Sequence, residues 1–155
     1  MTTSWWDAVI EPAPGDVVDH EDATPAPADA TTAEHRGMEP LPRLHYGSVD
    51  EFVREYLRHT YKRRIDGRNR VWSARWWEHE EAIARLEALW RAWEASRLEG
   101  AGATLGWWRE ADHHMTVLMD TGGPFASSSD TNARNEPLPY EAPPPGMFPD
   151  VRDAP

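Results

Sequence analysis

The sequence predicts a mainly α-helical protein, a compact three-helix domain with a short β-hairpin arm, flanked by disordered tails. Three observations point there. Apolar residues between Tyr46 and Phe125 recur at alternating spacings of three and four, the period of a one-sided helix. Prolines and unbalanced acidic residues crowd outside that stretch, where few large apolar groups are available to offset the entropy of ordering. Inside it, one Asp66-Gly67 dipeptide interrupts the helical period with residues that tolerate the positive φ of a tight turn.

The chain of 155 residues carries a formal net charge of -11, of which residues 1–45 hold -7, residues 46–125 hold -1 and residues 126–155 hold -3. The acidity sits in the flanks, so the overall charge does not argue against a polyanionic partner for the middle. Without cysteine there is no disulfide framework, no thiolate zinc site and no cysteine nucleophile. The opening MTTSWWDAVIEP has neither a basic start nor a long apolar run, so no secretory signal is expected there. Nothing approaches the roughly 18 to 20 apolar residues of a membrane span, so the expectation is no membrane insertion and a cytoplasmic location. Seven tryptophans fall within residues 46–125, and at about 150 to 250 Å² each they suffice for one small core.

Taken in order, residues 1–45 read as an acidic disordered N-terminal tail. Trp5, Trp6, Val9 and Ile10 are its exception, either one turn of a docking helix or, more simply, stray aromatics on a frayed terminus. The domain spans 46–125. Ser48 with Glu51 three residues on is a capping box, and Val49, Phe52, Val53, Tyr56 and Leu57 follow at helical spacing, so a first helix is expected over 49–61. Residues 62–72 then read as a two-stranded arm turning at Asp66-Gly67. Trp76, His79, Ile83, Leu86, Trp90 and Trp93 share one face of a central helix that ends before Gly100, and the sequence leaves open whether it is continuous from Ser73 or broken near His79. A third helix is expected from near Thr104, burying Trp108, Ala111, Met115 and Leu118, and stopped by Gly122-Gly123-Pro124. Residues 126–155 form a Ser/Asn-rich, then Pro-rich C-terminal tail. Within it Pro143-Pro144-Pro145-Gly146-Met147-Phe148 is stiff enough to dock back on the aromatic domain, and a free tail is the equal alternative.

The arginine-rich segment followed by Trp76-Trp77, the Leu86 to Trp93 helix, and the strings ADHHM and PPPGMFPD together resemble domain-of-unknown-function family four-nine-one-three, over Tyr46 to Arg152. The resemblance implies an actinobacterial setting on plasmids, integrative elements and phages, with conjugation-like transfer components as partners. It brings no catalytic residues.

Candidate chemistry is sparse. His79, Asp112, His113 and His114 are the nearest thing to a metal constellation, but adjacent histidines on a helix diverge by about 100°, so only one of them joins His79. Glu78, Glu80 and Glu81 are better explained as first-turn partners of a helix dipole than as paired catalytic carboxylates. No phosphate loop or nucleophile elbow is present, so no cofactor and no enzyme activity are expected. The sharpest signal is the arm, where Lys62, Arg63, Arg64, Arg68, Arg70 and Arg75 face one acidic residue, Asp66. Neighbouring tryptophans cannot both point inward, so Trp77 and Trp107 are expected near the surface, able to stack on bases or hold a proline-rich segment. These residues make nucleic acid or an acidic protein the expected partner, with a solvated hairpin pairing its arginines to Glu78, Glu80 and Glu81 as the equal alternative. A protein-only adaptor using the tryptophan surface and tails is the second reading, and a metal-dependent enzyme has least in its favour. The N-terminal flank is also expected to compete for the arm as a tethered anion.

Overall fold

The structure, a computed structural model, describes residues 42–154. Most of the N-terminal tail, with Trp5, Trp6, Val9 and Ile10 and the competition expected of that flank, lies outside the described residues. Residues 42–45 do not behave as tail. The backbone N–H groups of His45 and Tyr46 donate to the two carboxylate oxygens of Glu94 at 3.0 and 2.8 Å, and Leu44 packs against the core.

The first helix forms where the capping box places it. Ser48 Oγ accepts from the Glu51 N–H at 3.1 Å, and the Glu51 carboxylate reaches back to the Gly47 N–H at 2.6 Å. The helix starts as an α-turn over Val49–Phe52, widens into a π-helical segment over Val53–Leu57 and closes as α over Arg58–Thr60. Val49, Phe52, Val53 and Leu57 are buried along it.

The central helix is broken near His79, settling what the sequence left open. A single 3-10 turn, Trp76–Glu78, ends at His79 with φ -114° and ψ 109°, and the α-helix proper runs Glu80–Glu99. Gly100 reverses the chain, and the third helix runs Ala101–Met119, starting three residues earlier than Thr104. The central and third helices pack on each other as an antiparallel pair, with Ala82, Leu86, Leu89 and Trp90 of one facing Trp107, Ala111, Met115 and Leu118 of the other. Trp107 is buried where Trp108 was expected, because its indole N–H donates to the Leu89 carbonyl at 2.9 Å across the pair. None of these helices is long and apolar enough to cross a membrane.

The β-hairpin arm is absent, and no residue among those described is in a strand. The turn at Asp66-Gly67 exists, with Gly67 at φ 72°, and the Asp66 and Gly67 N–H groups donate to the Arg70 carbonyl across it at 3.3 and 3.0 Å, but no strand ladder continues beyond these bonds. The backbone groups of the flanking segments are taken elsewhere. Ile65 exchanges two bonds with Asn132, Val71 N–H donates to the Met119 carbonyl at 3.1 Å, and Ala74 bonds both Asp130 and Glu141.

Apart from Met119, those partners belong to the segment expected to be a disordered C-terminal tail, which instead wraps the helices as an ordered strap. Leu138 is fully buried, its N–H and C=O held by the Arg58 carbonyl and guanidinium at 3.1 and 3.0 Å. The indole N–H groups of Trp72 and Trp77 donate to the Pro139 and Glu141 carbonyls at 3.0 and 3.1 Å, two residues apart along the extended chain. Tyr140 donates to Asp50, and Phe148 stacks on Trp76 with ring centroids 5.3 Å apart. Of residues 143–148, Phe148 packs on the core while Pro144 to Met147 stay exposed, and the contacts of the strap extend well beyond this segment. Arg152 clamps the end, bonding Glu51, Asp150 and the His45 carbonyl. Gly47 allows this approach, since a Cβ there would collide with the Asp150 carboxylate.

Candidate functional site

The expected cationic residues occupy a rigid loop instead of a hairpin. The Asp66 carboxylate organises it, accepting from the backbone N–H groups of Arg68, Asn69 and Arg70 and from the Asn69 side-chain amide at 2.8 to 3.4 Å. The Asn69 amide, then the Asn69 and Arg68 N–H groups, hold this carboxyl far below the usual carboxylate range. Asp66 thus stays ionised throughout the physiological range, and the loop keeps its shape. A second set of bonds from Asn132, to Ile65 and to the Arg63 carbonyl at 2.9 Å, pins the loop's entry to the strap.

With the backbone fixed inward, Lys62, Arg63, Arg64, Arg68 and Arg70 all project into solvent. Among the described residues none of these five is paired with a carboxylate. Arg75 differs, pairing with Glu78 at 2.7 Å and Glu141 at 3.5 Å, so it belongs to the domain's own ion pairs. Arg63 lies over the Tyr61 ring at 4.2 Å. Trp77 and Trp107 are corrected outright: both are buried, their indoles spent on Glu141 and Leu89, and neither presents a face to a base. In the 107–108 pair it is Trp108 that stays partly exposed.

Beneath the loop lies an open cleft of about 250 Å³, walled on one side by Arg63, Asn69 and Arg70 and on the other by Thr116 and Asp120 from the end of the third helix. Its floor is Tyr61, Met115 and Met119. Burial, and then the hydrogen bond to Asp112 at 2.9 Å, push the Tyr61 phenol up, so it stays protonated and donating. The cleft is not legible in the sequence, because its walls come from two segments far apart in the chain that the Val71 to Met119 and Tyr61 to Asp112 hydrogen bonds bring together.

The histidines and carboxylates considered for metal are dispersed. His79 meets the Phe125 ring edge-on at 5.1 Å, Asp112 accepts from Tyr61, and His114 Nδ1 lies 3.0 Å from the Arg85 guanidinium. Among the described residues, no three His, Asp or Glu side chains converge as a metal site would require.

Fold and site together define a small helical domain, strapped by its own C-terminal segment, that presents an exposed cationic loop over a cleft. The chain belongs to the family described as Domain of unknown function (DUF4913), whose model matches residues 46–145. No curated protein and no solved structure matches it.

Proposed function

We propose that this chain is a cytoplasmic binding protein, not an enzyme, and that the Lys62 to Arg70 loop contacts the phosphate backbone of nucleic acid. One observation carries the reading: five cations stand exposed on a loop whose only carboxylate is committed to its own backbone. A loop that served stability would pair those charges with the nearby acidic side chains, as Arg75 does. Left unpaired and held apart by a fixed backbone, they suit a partner with regularly spaced anions, and phosphate contacts supply most of sequence-independent nucleic-acid affinity. An accessory role on a mobile element, beside transfer components, is compatible with such binding. The adaptor reading loses support with the burial of Trp77 and Trp107.

The test is anisotropy of a short labelled DNA duplex titrated with the full chain at low salt. Binding is expected, and a variant with Arg63, Arg64, Arg68 and Arg70 changed to Glu should abolish it while melting like the parent, since all four are exposed. Absence of binding by the parent chain at low salt overturns the proposal.

A further inference from the structure

The chemistry of the cleft under the loop is more specific than phosphate contact requires. Its floor of Tyr61, Met115 and Met119 is itself buried, and the Arg63 guanidinium lies over the Tyr61 ring at 4.2 Å, so a flat π-system entering the cleft would stack on that guanidinium plane. At about 250 Å³ the space falls below the roughly 300 to 1,000 Å³ of pockets for drug-sized ligands, so it suits a single ring system. Arg70 stands on its wall, where it would meet a phosphate beside an inserted base.

Beside the donating guanidiniums of Arg63 and Arg70, the cleft carries acceptors on its other polar side chains. Thr116 spends its hydroxyl hydrogen on the Asp112 carbonyl at 2.7 Å, which leaves its oxygen to accept. Asn69 spends one amide N–H on Asp66 at 2.8 Å, which leaves its carbonyl oxygen and the second N–H. Asp120 accepts from the Gly122 N–H through Oδ1 at 2.8 Å, and Oδ2 has no partner among the described residues. Three acceptors therefore line a cleft bordered by cations.

We propose that the cleft takes one unstacked base of single-stranded nucleic acid, and selects a base that presents an exocyclic amino group. Cytosine offers its N4 amino group to a carboxylate in this way, whereas thymine presents a carbonyl at the same position. A base held in a duplex is stacked between its neighbours and does not reach a concave site without being extruded. The loop supplies affinity and the cleft supplies the preference for single strands. This inference rests on the nucleic-acid reading above.

The experiment compares labelled oligo(dC), oligo(dT) and a mixed-sequence duplex with the same number of phosphates at one salt concentration. Oligo(dC) is expected to bind about tenfold more tightly than oligo(dT), the scale of one base-edge contact, and more tightly than the duplex. Asp120→Asn keeps the acceptor for Gly122 but replaces Oδ2 with a donor, so it should erase or invert the dC over dT preference. Thr116→Phe plugs the cleft from an exposed position and should bring both single strands down to the duplex affinity. Equal binding of oligo(dC) and oligo(dT), or either variant leaving the preference intact in a folded protein, overturns the inference. If all three probes bind equally and the arginine reversal abolishes binding, the phosphate reading stands and the base-selective cleft falls alone. If none binds at low salt, both fall.

Discussion

Glu94 shows how one side chain fixes the start of the domain. It is 3% exposed, on the central helix, and its oxygens accept from the His45 and Tyr46 backbone and from Arg97 at 2.7 Å. Burial pushes its carboxyl up, but those N–H donors and the guanidinium outweigh burial and hold it below the ordinary value. A carboxyl depressed in the folded state stabilises the fold above its unfolded pKa, and that contribution is lost as pH falls below about 4.5 toward the folded value. Glu94→Ala should cost about 2 to 3 kcal/mol at neutral pH in denaturant melts. It should also flatten the acid limb of stability against pH, and an unchanged acid limb would remove Glu94 from this role. Nothing in the sequence distinguished Glu94 from Glu87 or Glu99, since a buried carboxylate is revealed only by donors that lie almost fifty positions away. The Trp107 and Trp108 choice failed for the same reason. Both positions fit a helical stripe with Ala111, Met115 and Leu118, and the Leu89 carbonyl decided between them.

At the scale of elements, what the sequence carries locally was legible and what it carries through distant pairing was not. The capping box, the stop at Gly100 and the turn at Asp66-Gly67 are all local, and all are in place. The hairpin failed because a turn dipeptide specifies a reversal, and the reversal says nothing about where the flanking N–H and C=O groups bond. Here Ile65 and Ala74 bond the strap, whose Pro-rich composition resembles that of unfolded tails, and Val71 bonds the end of the third helix. The decisive residues in it are few: Leu138 fills the core between Arg58 and the tryptophans, and proline stiffness lowers the entropy lost on docking. If the strap is part of the folded unit, Leu138→Ala should destabilise the whole domain by about 2 to 5 kcal/mol, as a large core truncation does. A free tail would show no change in global melting and fast amide exchange at Leu138 and Glu141, whose N–H groups bond Arg58 and Ala74.

On the scale of the whole molecule, a chain of net charge -11 is expected to grip a polyanion through a loop of five exposed cations. The two facts are reconciled by screening length. Near about 0.1 M salt, charges beyond about 10 Å are screened, so a bound backbone feels the loop far more than any charge outside that distance. Each neutralised phosphate contributes about -0.9 to the slope of log affinity against log salt, so full use of Lys62, Arg63, Arg64, Arg68 and Arg70 gives about -4.5 on duplex DNA. Near about 0.01 M the screening length grows to about 30 Å, and the net negative charge of the protein begins to oppose the same contact. Affinity should therefore rise steeply as salt falls toward about 0.1 M and then more gradually below about 0.03 M, a curvature that a uniformly basic protein would not show. Single reversals of Arg68 or Arg70 to Glu should lower the steep limb by at least one phosphate's worth, about 0.9, while leaving the low-salt flattening in place. A salt-independent affinity would remove the phosphate contact altogether, and a straight line through the whole range would mean that the acidic residues exert no long-range opposition.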